Sequence, residues 1–295
     1  MLKVLVTGGS GFIGKNIVDN LVEKKYDVTV FDIANPHNSN INFIKGNISS
    51  QSDLLHAMKD IHSIFHLAAQ ADINKVVNEP LNTITLNILG TANVLEAARK
   101  SDVNRILFAS SYFVNSGGGH IYSTTKLASE MLIKDYFNLY KLPYTILRFG
   151  TVYGPRSRGA DVISIFVKNA LLDRPLIIHG DGDQTRNFIY CDDIAEGSVS
   201  ALSDKAINKT FNLEGKESIS IHEVALTVAE LIHDVKIECK EKEARTIDFK
   251  GKTISLKEIK RELGWEPKID FKEGVKRYIR WYIQNFERYE HKLAF

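Results

Sequence analysis

The chain has 295 residues, 44% hydrophobic and 25% charged, a size and balance that suit a globular protein with a main domain and a smaller companion. Against 38 Lys and Arg stand 36 Asp and Glu, and the net charge of +2 gives no electrostatic ground for nucleic acid or an anionic membrane as partner. Cys191 and Cys239 lie far from each other and from any short Cys/His spacing, so no metal site is suggested and both read as reduced, buried residues.

The opening Met1-Leu2-Lys3-Val4-Leu5-Val6 runs straight into a strand pattern, and no run of about 18 apolar residues occurs, so a cytoplasmic protein is expected. Strands are predicted at Val4–Val6, Val28–Phe31, Phe43–Ile44, Ile64–Leu67, Ile106–Ala109 and Tyr144–Leu147, the last closing the series. Between them fall amphipathic helices at Gly14–Glu23, Ser52–Lys59, Leu86–Arg99 and Lys126–Tyr140. Continuous apolar strands separated by helices predict an α/β fold with a doubly wound parallel sheet, a Rossmann domain over residues 1–150. After residue 150 turn-rich segments such as Gly180-Asp181-Gly182-Asp183 break the alternation. Helices at Ile163–Leu172, His222–His233 and Gly274–Phe286 then predict a smaller C-terminal α/β substrate domain over 151–295, with about 187–212 returning to the first domain.

Thr7-Gly8-Gly9-Ser10-Gly11-Phe12-Ile13-Gly14 ends the first strand and opens the first helix. Glycines there let the backbone approach a pyrophosphate, and the helix N-terminus offers free N–H groups to the anion. Asp32 ends the second strand, 18 residues beyond Gly14. A carboxylate at that place accepts from ribose hydroxyls and repels a 2′-phosphate, and no Arg follows in Ile33-Ala34-Asn35, so NAD is expected over NADP.

Tyr122 and Lys126 stand at i and i+4, on one helix face, shortly after a strand that ends in Ser110 and Ser111. A tyrosine with a pKa near 10 becomes a useful base only if a cation stabilises its phenolate, and Lys126 is that cation. His66, inside an apolar strand, reads as a packed residue and not as a metal ligand. His120 reads as an exposed loop residue.

With these motifs in place the sequence resembles the extended short-chain dehydrogenase/reductase family, the NAD-dependent sugar epimerases and dehydratases. The resemblance covers nearly the whole chain. It also rests on His66-Leu67-Ala68-Ala69, Asn87-x-x-Gly90-Thr91, Arg148-Phe149-Gly150-Thr151-Val152-Tyr153-Gly154-Pro155, the Gly180–Asp193 segment and Leu263-Gly264-Trp265-x-Pro267. The resemblance implies catalysis by Ser111, Tyr122 and Lys126. It implies cofactor contacts from Gly8, Gly11, Phe12, Ile13, Gly14, Asp32, Asn47, Ile48, Leu67, Ala68, Ala69, Asn87, Tyr122, Lys126 and Phe149. Substrate contacts are implied for Ser111, Thr151, Arg186 and Arg245, the two arginines as diphosphate clamps. The alternative for Arg186 is a surface ion pair with Asp181 or Asp183, and the motif match favours the clamp.

The implied activity is a nucleotide-sugar 4-epimerase with tightly bound NAD and a transient 4-keto intermediate, acting on a UDP-sugar such as UDP-glucose, UDP-glucuronate or an N-acetylated form. A dehydratase of the same fold uses an Asp-Glu pair after the serine, where this chain has Tyr112-Phe113. The remaining alternatives are a reductase of this fold and a non-catalytic NAD-binding sensor. Three departures stand out: Tyr122 follows Ser111 by only 11 positions, Asn47 replaces an Asp, and Thr151 replaces an Asn. Surplus apolar residues on Leu86–Arg99 and Lys126–Tyr140, with the family habit of pairing these helices across a two-fold axis, imply a homodimer.

Overall fold

Short apolar runs, too brief for stable helices, supply the strands of the central sheet. They are β1 (Lys3–Thr7), β2 (Asp27–Asp32), β3 (Asn42–Lys45), β4 (Ser63–His66), β5 (Arg105–Ser111), β6 (Tyr144–Phe149) and β7 (Lys209–Leu213). The structure, a computed structural model, describes residues 2–116, 120–233, 235–241 and 255–285. The strands pair in parallel in the order β7-β6-β5-β4-β1-β2-β3. Winding reverses between β1 and β4, the switch point at which an open α/β sheet leaves a crevice beyond its carboxyl ends.

Helices α1 (Phe12–Glu23), α2 (Gln51–Ala57), α3 (Ile73–Asn78), α4 (Pro80–Ile84), α5 (Gly90–Lys100) and α6 (Ile121–Tyr140) complete this part of the chain. One core joins sheet to helices through Leu5, Phe31, Leu54, Ile64, Val94, Phe108 and Ile133, all buried. Removing such residues from water is the dominant favourable contribution to folding.

Two expectations need correction. The sheet does not close at β6, because Lys209–Leu213 adds a seventh strand in register with Thr145–Phe149. The helix expected at Leu86–Arg99 is longer and interrupted: Pro80 starts it at a position where a missing N–H costs nothing, and a π-helical turn at Thr85–Leu89 joins α4 to α5. Helix α3, too short for a periodic signal, begins with Asp72 accepting from the backbone of Asn74 and Lys75.

By contact density the chain divides into two units, the first being Met1–Phe149, Ile194–Leu213 and Leu256–Glu266. In its last segment Gly264 ends the helix Lys257–Leu263 in the left-handed conformation, at φ +66°. Trp265, buried, then fills the space left open by Gly197. The motif Leu263-Gly264-Trp265 is therefore a packing device.

The second unit comprises Gly150–Asp193, Glu214–Ser255 and Pro267–Phe295. Its described parts include parallel ladders Thr151–Tyr153 with Phe188–Tyr190 and Leu176–His179 with Ile237–Lys240, and helices Val162–Leu171, Ile221–Ile232 and Phe271–Gln284. Cys191 is a buried free thiol, as expected, and burial pushes its pKa up. Cys239 is exposed, against expectation. Among the described residues no helix is long and apolar enough to cross a membrane.

Candidate active site

The glycine turn sits where β1 meets α1 at the switch point. Gly8 has φ +73°, and a Cβ there would lie 2.6 Å from Ala68 N. A Cβ on Gly14 would come 2.2 Å from Gly8 O. Both positions exclude side chains, so the turn folds tightly against the chain just beyond β4. Gly8, Ser10 and Gly11 spend their amides within the fold, and the first amides of α1, which a helix leaves without intrahelical partners, are those offered to an anion. Asp32 braces this turn: one carboxylate oxygen accepts from Ser10 N at 2.9 Å and the other from Ala34 N at 3.0 Å.

The other candidate cofactor residues of the first unit lie in different settings. Asn47 is exposed and its Oδ1 accepts from Ser49 N. Ile48 is buried against Gly90. Leu67, Ala68 and Ala69 are half-buried just beyond β4, and Phe149 is buried at the end of β6. Asn87, in the π turn, accepts from Gln70 N at 2.7 Å and donates to Gln70 O and Thr125 Oγ1, both at 3.0 Å. It ties the loop after β4 to α6.

His66 is fully enclosed. The Thr91 hydroxyl donates to Asn87 O, so it accepts from His66 Nε2, and Nδ1 then accepts from Thr7 Oγ1 at 2.8 Å. Burial first, and the nearby Lys126 charge second, hold this imidazole neutral with a pKa pushed down to about 3. Both nitrogens are engaged in packing the site, and among the described residues no group of His, Cys, Asp and Glu is placed to hold a metal ion.

Helix α6 starts at Ile121, earlier than expected, so Tyr122 and Lys126 both lie in its first turns. His120 is its N-cap and is half-buried: Nδ1 accepts from Tyr122 N at 3.1 Å, and burial lowers its pKa. The exposed loop residue expected at 120 is thus a structural cap beside the tyrosine. Lys126 is only 4% exposed and donates from Nζ to Ala109 O at 2.7 Å. Its ammonium lies 4.8 Å from the Phe108 ring centroid and 5.9 Å from that of Tyr122. Desolvation outweighs the opposing pull of Glu130 and lowers its pKa to about 8. Ser111, buried at the end of β5, accepts from Phe113 N.

Sequence reasoning missed the charged group behind this pair. Glu130, 1% exposed, receives Ser110 Oγ at 2.6 Å and a two-pronged grip from Arg148, at 2.9 Å through Nε and 2.6 Å through Nη2. Arg148 also donates to Asn115 Oδ1. The legible signal was the i, i+4 spacing of Lys126 and Glu130 on a buried helix face.

Thr151 and Arg186 belong to the second unit. Thr151 donates its N–H to Asn187 O at 2.9 Å, while its hydroxyl oxygen is enclosed with no hydrogen-bond partner among the described residues. Arg186 is half-buried and donates to Thr185 O. Arg245 lies outside the described residues, as does Gly117-Gly118-Gly119 of the shortened loop.

Comparison with known proteins places this geometry. The NAD dependent epimerase/dehydratase family matches residues 4–213. A Methanocaldococcus jannaschii protein with a provisional UDP-glucose 4-epimerase name is 37% identical, over 96% of this chain and 99% of its own length. The structure of Thermotoga maritima UDP-glucose 4-epimerase with UDP-glucose superposes with a TM-score of 0.90 at 28% identity, covering 97% of this chain and all of that one. That of Bacillus cereus UDP-glucuronic acid 4-epimerase with UDP-glucuronic acid and NAD does so with a TM-score of 0.87 at 28% identity, over 96% and 99%.

Proposed function

Because the chain belongs to the NAD dependent epimerase/dehydratase family, we propose that it is a nucleotide-sugar 4-epimerase working with tightly bound NAD on a UDP-sugar. One observation carries the choice within the family. Behind Ser111 stand Tyr112 and Phe113, two packed rings with centroids 4.2 Å apart, where elimination of water needs an acid and a base. The UDP-sugars bound in the two solved relatives support the substrate class.

The glycine turn fits a dinucleotide, since its tight course, in which Cβ atoms at Gly8 and Gly14 would collide with neighbouring backbone, leads directly into the N-terminus of α1. NAD would be held by Gly8, Gly11, Phe12, Ile13 and Gly14, by Asp32 at the adenosine ribose, by Asn47, Ile48, Leu67, Ala68, Ala69, Asn87 and Phe149, and by Tyr122 and Lys126. Bound there it supplies a reversible two-electron oxidation of a carbinol. Tyr122 takes the proton of the sugar C4 hydroxyl and later returns it. Lys126 places its ammonium by the ring and stabilises the phenolate. Ser111 hydrogen-bonds the reacting oxygen. Thr151, Arg186 and Arg245 take the diphosphate, where guanidinium offers paired donors.

The proposal includes a cytoplasmic homodimer. Leu81, Leu89, Leu127 and Met131 are 78%, 55%, 44% and 60% exposed on α4, the π turn and α6, more apolar surface than a lone subunit leaves in one place without a use. A Tyr122→Phe variant tests the chemistry. It is expected to lose about 10²- to 10⁴-fold in kcat with NAD affinity and circular dichroism unchanged. Full activity in that variant overturns the assignment.

A further inference from the structure

Two residues of α6 grip consecutive residues of β5. Lys126 donates to Ala109 O at 2.7 Å, and one helical turn further on Glu130 accepts from Ser110 Oγ at 2.6 Å. The next residue is Ser111. From the neighbouring strand Arg148, in register with Ser110, closes on Glu130 through two hydrogen bonds. One carboxylate thus pairs with the half-buried Arg148, attracts the buried Lys126 ammonium, and holds the strand end that carries the serine.

We propose that Glu130 is a positioning residue for the Tyr122–Lys126 pair, its carboxylate compensating the buried Lys126 ammonium while Arg148 and Ser110 fix it in place. This rests on reading Tyr122 and Lys126 as the reactive pair. Among the described residues, Glu130 is the carboxylate that attracts Lys126. His66 of β4 faces it neutral, Arg148 of β6 carries the same sign as the lysine, and the π turn and α5 present the uncharged Asn87 and Thr91. Asn115, beyond β5, is also uncharged. The attraction of Glu130 is what opposes desolvation of the ammonium. Without that carboxylate the buried ammonium would keep its desolvation cost and lose the attraction that opposes it, so the lysine would shed its proton more readily.

The test follows the ε-carbon resonance of Lys126 through a pH titration of the full chain with carbon-13 lysine, the signal being assigned by its loss in Lys126→Met. Glu130→Gln keeps the shape and removes the charge. The lysine of that variant is expected to become at least about tenfold more acidic than in wild type. During turnover the alkaline limb of kcat should move to lower pH by the same factor. A folded variant whose lysine titrates as in wild type overturns the proposal and leaves Glu130 a structural residue. If Glu130→Gln does not fold, the paired variant Glu130→Gln with Arg148→Met is compared with Arg148→Met alone, and loss of the carboxylate must still make the lysine more acidic. If neither folds, the Glu130 carboxyl resonance of wild type decides: it must shift at the Lys126 midpoint, and a resonance blind to that pH overturns the coupling. If wild type converts no nucleotide sugar, the proposed reaction fails while the lysine titration still decides the role of Glu130.

Discussion

Lys126→Met separates the cost of the buried ammonium from its use. Lys126 is 4% exposed, and desolvation lowers its pKa from 10.5 to about 8. Each pH step of that displacement is worth about 1.4 kcal/mol, so keeping the charge at neutral pH costs the native state about 3 kcal/mol. Methionine removes this cost but also the hydrogen bond to Ala109 O, whose loss costs about 1–3 kcal/mol. At pH 7 the variant should therefore match wild type or exceed it by up to about 2 kcal/mol, while losing activity.

The pH dependence carries the sharper sign. Below about pH 8 both folded and unfolded lysine are charged, and the cost is constant. Between that pH and about 10.5 the unfolded chain binds the extra proton, so wild-type stability gains with rising pH, and the variant does not share this gain. Urea titrations of both proteins from pH 7 to 10 should show their difference moving toward wild type by about 2–3 kcal/mol. Taking the difference cancels the other groups that ionise there, such as the buried Cys191 thiol. A difference that stays flat with pH refutes the buried, compensated ammonium.

Gly14→Ala would set a Cβ 2.2 Å from Gly8 O, a backbone atom with nowhere to go, so a loss of about 1–3 kcal/mol in stability and a collapse of NAD binding are expected in melts and calorimetry. Asp32→Ala frees the amides of Ser10 and Ala34 and removes the ribose acceptor; NAD affinity should fall about tenfold or more by calorimetry, with the preference over NADP narrowed. Met131→Glu puts a charge on the exposed stripe, and sedimentation should show monomer at concentrations where wild type is a dimer, with the melting temperature changed by less than about 3 °C.

The sheet was legible because its strands are short apolar runs with glycine or acidic ends, and six of them are visible as such. Lys209–Leu213 escaped because Lys209, Thr210 and Asn212 alternate with Phe211 and Leu213 at an edge, a pattern of half-buried strands that the buried neighbours did not prepare for. The π turn escaped because its residues keep helical periodicity in sequence; only the hydrogen bonds of Asn87 show why the backbone widens there. As candidates, Tyr122, Lys126, Asp32 and the glycines stand out by spacing, since each belongs to a local element. Glu130 shares a helical spacing with Lys126, but its partnership with Arg148 joins residues 18 apart across a helix and a strand, which spacing does not show. His120 was misread for a similar reason: a cap is defined by where the helix begins, and the helix begins at Ile121.

The central claim is inversion at the sugar C4 with no net redox change. Wild type should be incubated with catalytic NAD and a panel of UDP-sugars carrying deuterium at C4, and the products resolved by mass and by proton coupling. The claim requires a C4 epimer of unchanged mass that keeps its deuterium, with no accumulation of reduced cofactor. A product lighter by one water, or reduced cofactor formed in step with product, contradicts it.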